Sequence, residues 1–285
     1  MADKGAVVIT GASTGIGEAC ALHLDKLGYR VFAGIRKAAD GEALHQRASK
    51  RLIPVRLDIS DPTEVDHAAR KVTEALNGQG LAGLVNNAGI SVAGMLEFMP
   101  LESLRRQLEV NVVGQIAVTQ AFLASLRQAR GRIVNIGSLS GLISSPFFGA
   151  YCASKFALEA LTDSLRLELR PWGINVSIVE PGFIKTPIVG KNQAAAEALR
   201  EQLPAEALEL YGARLRAVGA AAQREAAEAP SPDVVVKAVV HALTARRPRT
   251  RYVVGARSRL QISLGRALPD RWRDAFIARY LGLSS

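Results

Sequence analysis

The sequence predicts an open, doubly wound α/β fold, with strands feeding helices on both faces of one sheet. Short β-branched runs alternate with apolar-periodic helical stretches from the N-terminus to about residue 186. The first run, Gly5–Thr10, breaks at a glycine-rich turn, Gly11-Ala12-Ser13-Thr14-Gly15-Ile16-Gly17, which opens a helical pattern to Leu27. A chain of 285 residues, 48% hydrophobic, suffices for one large α/β core but not for two comfortable domains and a linker, so 1–285 is expected to be a single domain.

The glycine turn has a chemical reading. Side chains there would block the approach of a pyrophosphate, Gly17 lets the helix pack close to the strand, and the helix N-terminus offers free N–H groups to phosphate. Such turns also occur as plain loops; this one follows the first strand and opens the first helix. The second strand, Arg30–Gly34, runs into Ile35-Arg36-Lys37, where a NAD-binding unit carries an acid for the ribose hydroxyls. Cations there suit a 2′-phosphate, to which Ser13 adds a hydroxyl, so NADP is the expected cofactor; the plainer alternative leaves Arg36 and Lys37 exposed at a helix start. Leu52–Asp58 is a third strand, with Asp58 at its end within reach of an adenine edge. Asp61 caps and Pro62 opens a helix to about Leu76. Leu81–Val85 is the fourth strand, and Asn86-Asn87-Ala88-Gly89 after it either cap a turn or brace the sheet beside a cofactor.

From Leu101 to about Gln128, the spacing of Leu104, Leu108, Val112, Ile116, Thr119, Phe122, Leu123 and Leu126 predicts one long amphipathic helix. Asn111 lies inside its apolar stretch, and a buried amide needs partners, whether it holds a kink, a water or a catalytic contact. Arg132–Ile136, the fifth strand, ends at Gly137-Ser138 and so puts the Ser138 hydroxyl where ligands bind in open α/β sheets. Tyr151 and Lys155, four residues apart, project from one face of a helix that continues through Phe156, Leu158, Leu161, Leu165 and Leu169 to about Arg170. A cation beside a phenol favours the phenolate, so Lys155 is expected to lower the Tyr151 pKa from about 10 and tune a proton donor and acceptor. Tyr-x-x-x-Lys alone is common by chance; its spacing to Ser138 and the glycine turn give it weight.

Ile174–Val179 is a sixth strand, closed by Glu180-Pro181-Gly182-Phe183-Ile184-Lys185-Thr186. The alternation then breaks. Residues 187–231, rich in Ala, Glu, Gln and Arg, read as helical and as a lid over the site rather than a plain insertion. A helix from Pro232 to Leu243, a short seventh strand, Arg251–Val254, and a helical extension over 255–285, with helices near Ser258–Leu268 and Pro269–Tyr280, complete the chain.

The net charge of +10 is spread as arginine over many helices, and aromatics make up only 5%, so no basic-aromatic platform for nucleic acid is visible. A solvated surface is the expected reading, with peripheral contact between the basic C-terminal helices and a membrane left open. No run approaches about 18 apolar residues and Met1-Ala2-Asp3-Lys4 leads straight into a strand, so no transmembrane segment or signal peptide and a cytoplasmic location are expected. Cys20 and Cys152 have neither metal-ligand nor disulfide spacing and read as reduced packing residues; no metal is expected.

Thr10-Gly11-Ala12-Ser13-Thr14-Gly15-Ile16-Gly17, Asn86-Asn87-Ala88-Gly89, Asn111, Ser138, Tyr151-Cys152-Ala153-Ser154-Lys155 and Pro181-Gly182, in that order, resemble the short-chain dehydrogenase/reductase family over roughly Val7 to Val254. The run on through Phe156-Ala157-Leu158-Glu159, with the Arg36 ending of the second strand, resembles the branch holding 17β-hydroxysteroid and retinol dehydrogenases. The resemblance implies a seven-stranded parallel sheet with NADP(H) across its carboxyl edge, and a homodimer or homotetramer. It implies cofactor contacts from Gly11, Ser13, Thr14, Gly15, Ile16, Gly17, Arg36, Lys37, Asp58, Ile59, Asn87, Ala88, Gly89, Tyr151, Lys155, Pro181, Gly182, Ile184 and Thr186. Tyr151 would transfer a proton, Ser138 would hold the substrate oxygen, Lys155 would bind the nicotinamide ribose, and Asn111 would anchor a water relay to Lys155. Ser138, Leu139, Phe148, Tyr151 and Phe183, among apolar neighbours that include Val92 and Met95, would receive a bulky hydrophobic alcohol or ketone, steroid-like or retinoid-like. A 3-oxoacyl thioester on an acidic carrier is the rival substrate. A nucleotide-sensing protein without the reaction is the rival function, but it would be expected to lose the Tyr or the Lys, and both are present.

Overall fold

The computed structural model describes residues 4–187, 203–255, 262 and 267–283. Its elements alternate as the apolar pattern requires: β1 (Ala6–Ile9), α1 (Gly15–Lys26), β2 (Arg30–Ile35), α2 (Ala38–His45), β3 (Leu52–Arg56), α3 (Pro62–Leu76), β4 (Leu81–Asn86), α4 (Leu101–Leu108), α5 (Gly114–Ala129), β5 (Arg132–Ile136), α6 (Gly149–Glu168), β6 (Asn175–Glu180), α7 (Ala205–Ala227), α8 (Asp233–Thr244), β7 (Arg251–Val253) and α9 (Asp270–Leu281). Seven strands pair in parallel in the order β3-β2-β1-β4-β5-β6-β7. The order turns back between β1 and β4, which opens a crevice at their carboxyl ends.

Side chains alternate across the sheet, so both faces need a cover. On β1, Val7 and Ile9 enter one core with Cys20 and Leu24 of α1 and Val235 and Val239 of α8. Ala6 and Val8 enter the other with Val72 of α3 and Phe122 and Leu126 of α5. Burial pushes the Cys20 thiol up to about 12, which fits a packing residue. Asp61 caps α3 as expected, accepting from Thr63 N at 2.9 Å and Glu64 N at 3.3 Å, with Pro62 in the first turn.

At one edge of the sheet β3 pairs with β2 alone. Arg51 O accepts from Val31 N and Leu57 N donates to Ile35 O, so odd-numbered residues turn their main chain toward β2 and Pro54 turns away from it. A residue with no N–H fits only on such a side.

The single helix expected from Leu101 to Gln128 is not continuous. Glu109–Val113 forms a π turn in which Gly114 N–H bonds to Glu109 O, five residues back. Wider winding changes the phase of the helix, so α4 packs on α6 while α5 packs on β4 and α3. The first half of the expected stripe, Leu104, Leu108, Val112 and Ile116, is only half-buried, with Gln107, Asn111, Gly114 and Gln115 covered instead, while Thr119, Phe122 and Leu126 of the second half are buried as expected.

Of the expected lid, 203–231 is described, and Ala205–Ala227 is one helix that packs on α9 through Val218, Ala221 and Leu281, with Phe147 and Phe148 beside them. Residues 188–202 and most of the helix expected near Ser258–Leu268 lie outside the described residues. The second C-terminal helix is α9. Among the described residues no helix is long and apolar enough to cross a membrane, and no three His, Cys, Asp or Glu cluster as a metal site.

Candidate active site

Asn87 fixes the crevice between β1 and β4. Its Nδ2 donates to Thr10 O at 2.9 Å and Gly11 O at 3.0 Å, and the N–H groups of Asn87 and Ala88 both donate to Thr10 Oγ1 at 2.9 Å. Asn86 braces the sheet behind it, donating to Thr119 Oγ1 at 2.9 Å and Asn135 Oδ1 at 3.0 Å. In the glycine turn a Cβ on Gly11, at φ +63°, would stand 2.8 Å from Ala88 Cα. One on Gly17 would collide with Gly11 O and the Asn87 amide, and one on Gly15, at φ +65°, would stand 3.2 Å from the Thr186 side chain. Thr14 opens α1 without a side-chain cap, so the first-turn N–H groups keep their capacity for an anion. This cradle fits the pyrophosphate of a dinucleotide.

At the far end, Arg36 is exposed after β2 and Lys37 opens α2. Burial pushes the Asp58 carboxyl up, but hydrogen bonds from Ser60 and the charges of Arg36 and Arg106 bring it below its ordinary value. The ends of β2 and β3 therefore share one polar corner. Ile59 and Ile184 bury their side chains in the two cores.

Ser138 follows β5 directly. Gly137 N donates to Val179 O at 2.8 Å, Leu139 N donates to Pro181 O at 3.1 Å, and Ser138 Oγ accepts from Ser140 N at 3.1 Å while keeping its own proton to donate. Tyr151 lies in the first turn of α6, after Phe147, a non-glycine residue at φ +65° whose carbonyl accepts from Gly94 N at 2.7 Å. The Ser138 hydroxyl meets the Tyr151 phenol. Lys155, 5% exposed, donates through Nζ to Ile136 O at 2.8 Å and stands 5.8 Å from the Tyr151 ring centroid.

The expected lowering of the Tyr151 pKa by Lys155 is not found. Burial dominates and pushes the phenol above its ordinary range, with Ser138 pulling the other way. Burial also weakens the charge that was to do the lowering: Lys155 falls from 10.5 to about 8, with Glu159 opposing the fall.

Asn111 belongs to a ladder of three amides. Gln107 Oε1 accepts from Val92 N at 2.6 Å, Asn111 Oδ1 accepts from Ile90 N at 2.9 Å, and Gln115 Nε2 donates to Ala88 O. Asn111 Nδ2 also reaches Ile90 O at 2.9 Å and Ser154 Oγ at 3.1 Å. The side chain thus clamps the loop after β4 to α6.

Of the expected substrate contacts, Leu139 and Phe148 are half-buried and Phe183 is 44% exposed in the turn after β6. Met95 is buried, at 3% exposure. Sequence reasoning missed the buried carboxyls Glu159 and Glu180. The available signal was a Glu four residues beyond Lys155 on one helix face and another ending a buried strand.

A family model described as short chain dehydrogenase matches residues 5–197. "Retinol dehydrogenase 5" of Mus musculus is 40% identical over 277 residues, 95% of this chain and 87% of that protein. "D-beta-hydroxybutyrate dehydrogenase, mitochondrial" of Bos taurus is 42% identical over 260 residues, 87% of this chain and 76% of that protein. A solved short chain dehydrogenase from Burkholderia cenocepacia, in complex with NADP, superposes with a TM-score of 0.72 at 27% identity and covers 98% of both chains.

Proposed function

The chain belongs to the short-chain dehydrogenase family, and from that premise we propose that it is an NADP-dependent oxidoreductase interconverting an alcohol with a ketone or aldehyde on a bulky hydrophobic substrate, steroid-like or retinoid-like. The observation that carries this reading is the meeting of Ser138 and Tyr151, with Lys155 behind them, at the carboxyl end of β5. Ser138 donates a hydrogen bond to the substrate oxygen. Tyr151, held protonated by burial, gives that oxygen its proton as a carbonyl becomes an alcohol, and takes it back in the reverse direction. Lys155 holds the nicotinamide ribose from its seat on Ile136 O, and Asn111 keeps the loop after β4 against α6. The nicotinamide, when bound, supplies or accepts the hydride; the protein's share is position and charge.

The glycine turn, Asn87, Ala88 and Gly89 hold the dinucleotide at the crevice, the Pro181–Thr186 turn closes over it, and Arg36 with Lys37 takes the 2′-phosphate. The likeness to an NADP complex supports that preference. Leu139, Phe148 and Phe183 give the substrate side its apolar character, with 187–231 as lid, and the likeness to a retinol dehydrogenase supports the same class. Steady-state kinetics with NADPH on a steroid ketone, retinal, a 3-oxoacyl thioester and acetoacetate tests the reading. The highest kcat/KM is expected for the steroid ketone or retinal. Turnover confined to the thioester or acetoacetate overturns the substrate class, and no NADPH oxidation with any of them overturns the reaction.

A further inference from the structure

Beneath the catalytic turn lies a group of ionisable side chains that the reaction above does not use. Glu159 stands one helical turn beyond Lys155 on α6 at 7% exposure, and Glu180 ends β6 fully buried. A Cβ on Gly137 would come within 3.3 Å of Glu159 Oε1, so this carboxyl sits directly under the residue before Ser138. Glu180 precedes Pro181, whose carbonyl accepts from Leu139 N on the other side of Ser138. Burial and the facing Glu180 carboxyl push the Glu159 carboxyl up. Two neighbouring carboxyls this deeply buried resist double ionisation, so the pair holds one proton and one negative charge near neutrality. Arg251 of β7 closes the group, 3.0 Å from Glu159 Oε2 and 2.7 Å from Asp163 Oδ2, and Asp163 also pairs with Arg166. The charged groups acting on Glu159 are thus Lys155 and Asp163 from α6, Glu180 from β6 and Arg251 from β7.

We propose that Glu159 and Glu180 are positioning residues for Lys155: as a one-proton pair they supply the buried counter-charge that keeps Lys155 an ammonium on its seat at Ile136 O. This rests on the role given to Lys155 above. An ammonium at 5% exposure is driven toward the neutral amine by burial, and of its neighbours Glu159 is the group that opposes this. Placing the counter-charge one turn deeper leaves the Tyr151 side of Lys155 open for the ribose.

The test follows Lys155 itself, by the ¹³Cε resonance of labelled lysine against pH, assigned with Lys155→Met and recorded without cofactor or substrate. In Glu159→Gln/Glu180→Gln the midpoint is expected to fall by about one unit or more. In Glu180→Gln, Glu159 loses its proton-sharing partner, stays ionised throughout, and the Lys155 midpoint is expected to rise. Glu159→Asp should restore it to within a few tenths of wild type. The alkaline limb of NADPH affinity, read by fluorescence, should shift in the same sense, while affinity at about pH 6 stays within about twofold. A structural cluster would lose stability on substitution without moving the Lys155 midpoint. An unmoved midpoint in the folded double variant, or in Glu180→Gln where the double variant does not fold, overturns the proposal. Because the resonance is read without turnover, a protein that reduces none of the carbonyls still tests the pair.

Discussion

Tyr151→Phe keeps the ring and removes only the proton that the proposed reaction moves, so turnover is expected to fall about 100- to 10,000-fold with NADPH binding intact. A variant retaining more than about a tenth of wild-type kcat would refute the role. Arg36→Asp replaces a phosphate partner by an acceptor for ribose hydroxyls, and calorimetry should show preference moving from NADP toward NAD; equal wild-type affinities for the two would count against the assignment. The buried carboxyl pair sets a third outcome. Burial and the facing Glu180 hold the proton of this pair well above the ordinary glutamate value of 4.5, so above that value the folded protein keeps a proton that the unfolded chain has lost, and stability falls as pH rises until the pair gives it up. Lys155 acts the other way between about 8 and 10.5, where the unfolded chain holds the proton, so stability recovers there. Thermal melts should show Tm declining up to about pH 8, with a shallower slope in Glu159→Gln; a flat wild-type profile would contradict the pairing. Tyr151, Lys155 and Ser138 were legible as residues because their spacing is local. Their proton affinities were not, because desolvation depends on what the fold packs around them.

Among the elements, the amide ladder has the clearest consequence. Asn111→Leu preserves size but removes the acceptor for Ile90 N–H and the donor to Ser154 Oγ. Leaving a buried N–H unpaired is expected to cost about 1–3 kcal/mol in denaturant unfolding. A loss below about 0.5 kcal/mol would mean that the loop after β4 is held by other contacts. The succession of strands along the chain and the Asp61-Pro62 cap could be read in advance, since turn, cap and apolar period are written in adjacent residues. The π turn could not: one extra residue in a winding leaves Leu104, Leu108, Val112 and Ile116 looking evenly spaced. Asn111 could be read as a buried amide in need of partners, but the partners of Gln107, Asn111 and Gln115 could not, because the main-chain groups they bind arrive only when β4 delivers 88–92 beside them.

For the whole molecule, the half-buried leucine stripe of α4 and the outer face of α6 leave apolar surface uncovered, with Leu101 63%, Val113 51% and Leu167 65% exposed. Two copies meeting through these helices would bury it, so light scattering at micromolar concentration is expected to give at least a dimer; a monomer there would assign this surface to another use. The β3 edge of the sheet offers no comparable route. At its open margin Pro54 turns its donor-less nitrogen outward from the middle of β3, so an incoming strand from another molecule would find its ladder interrupted there. A population that partly opens on heating therefore lacks a continuous template along this side for fibril growth.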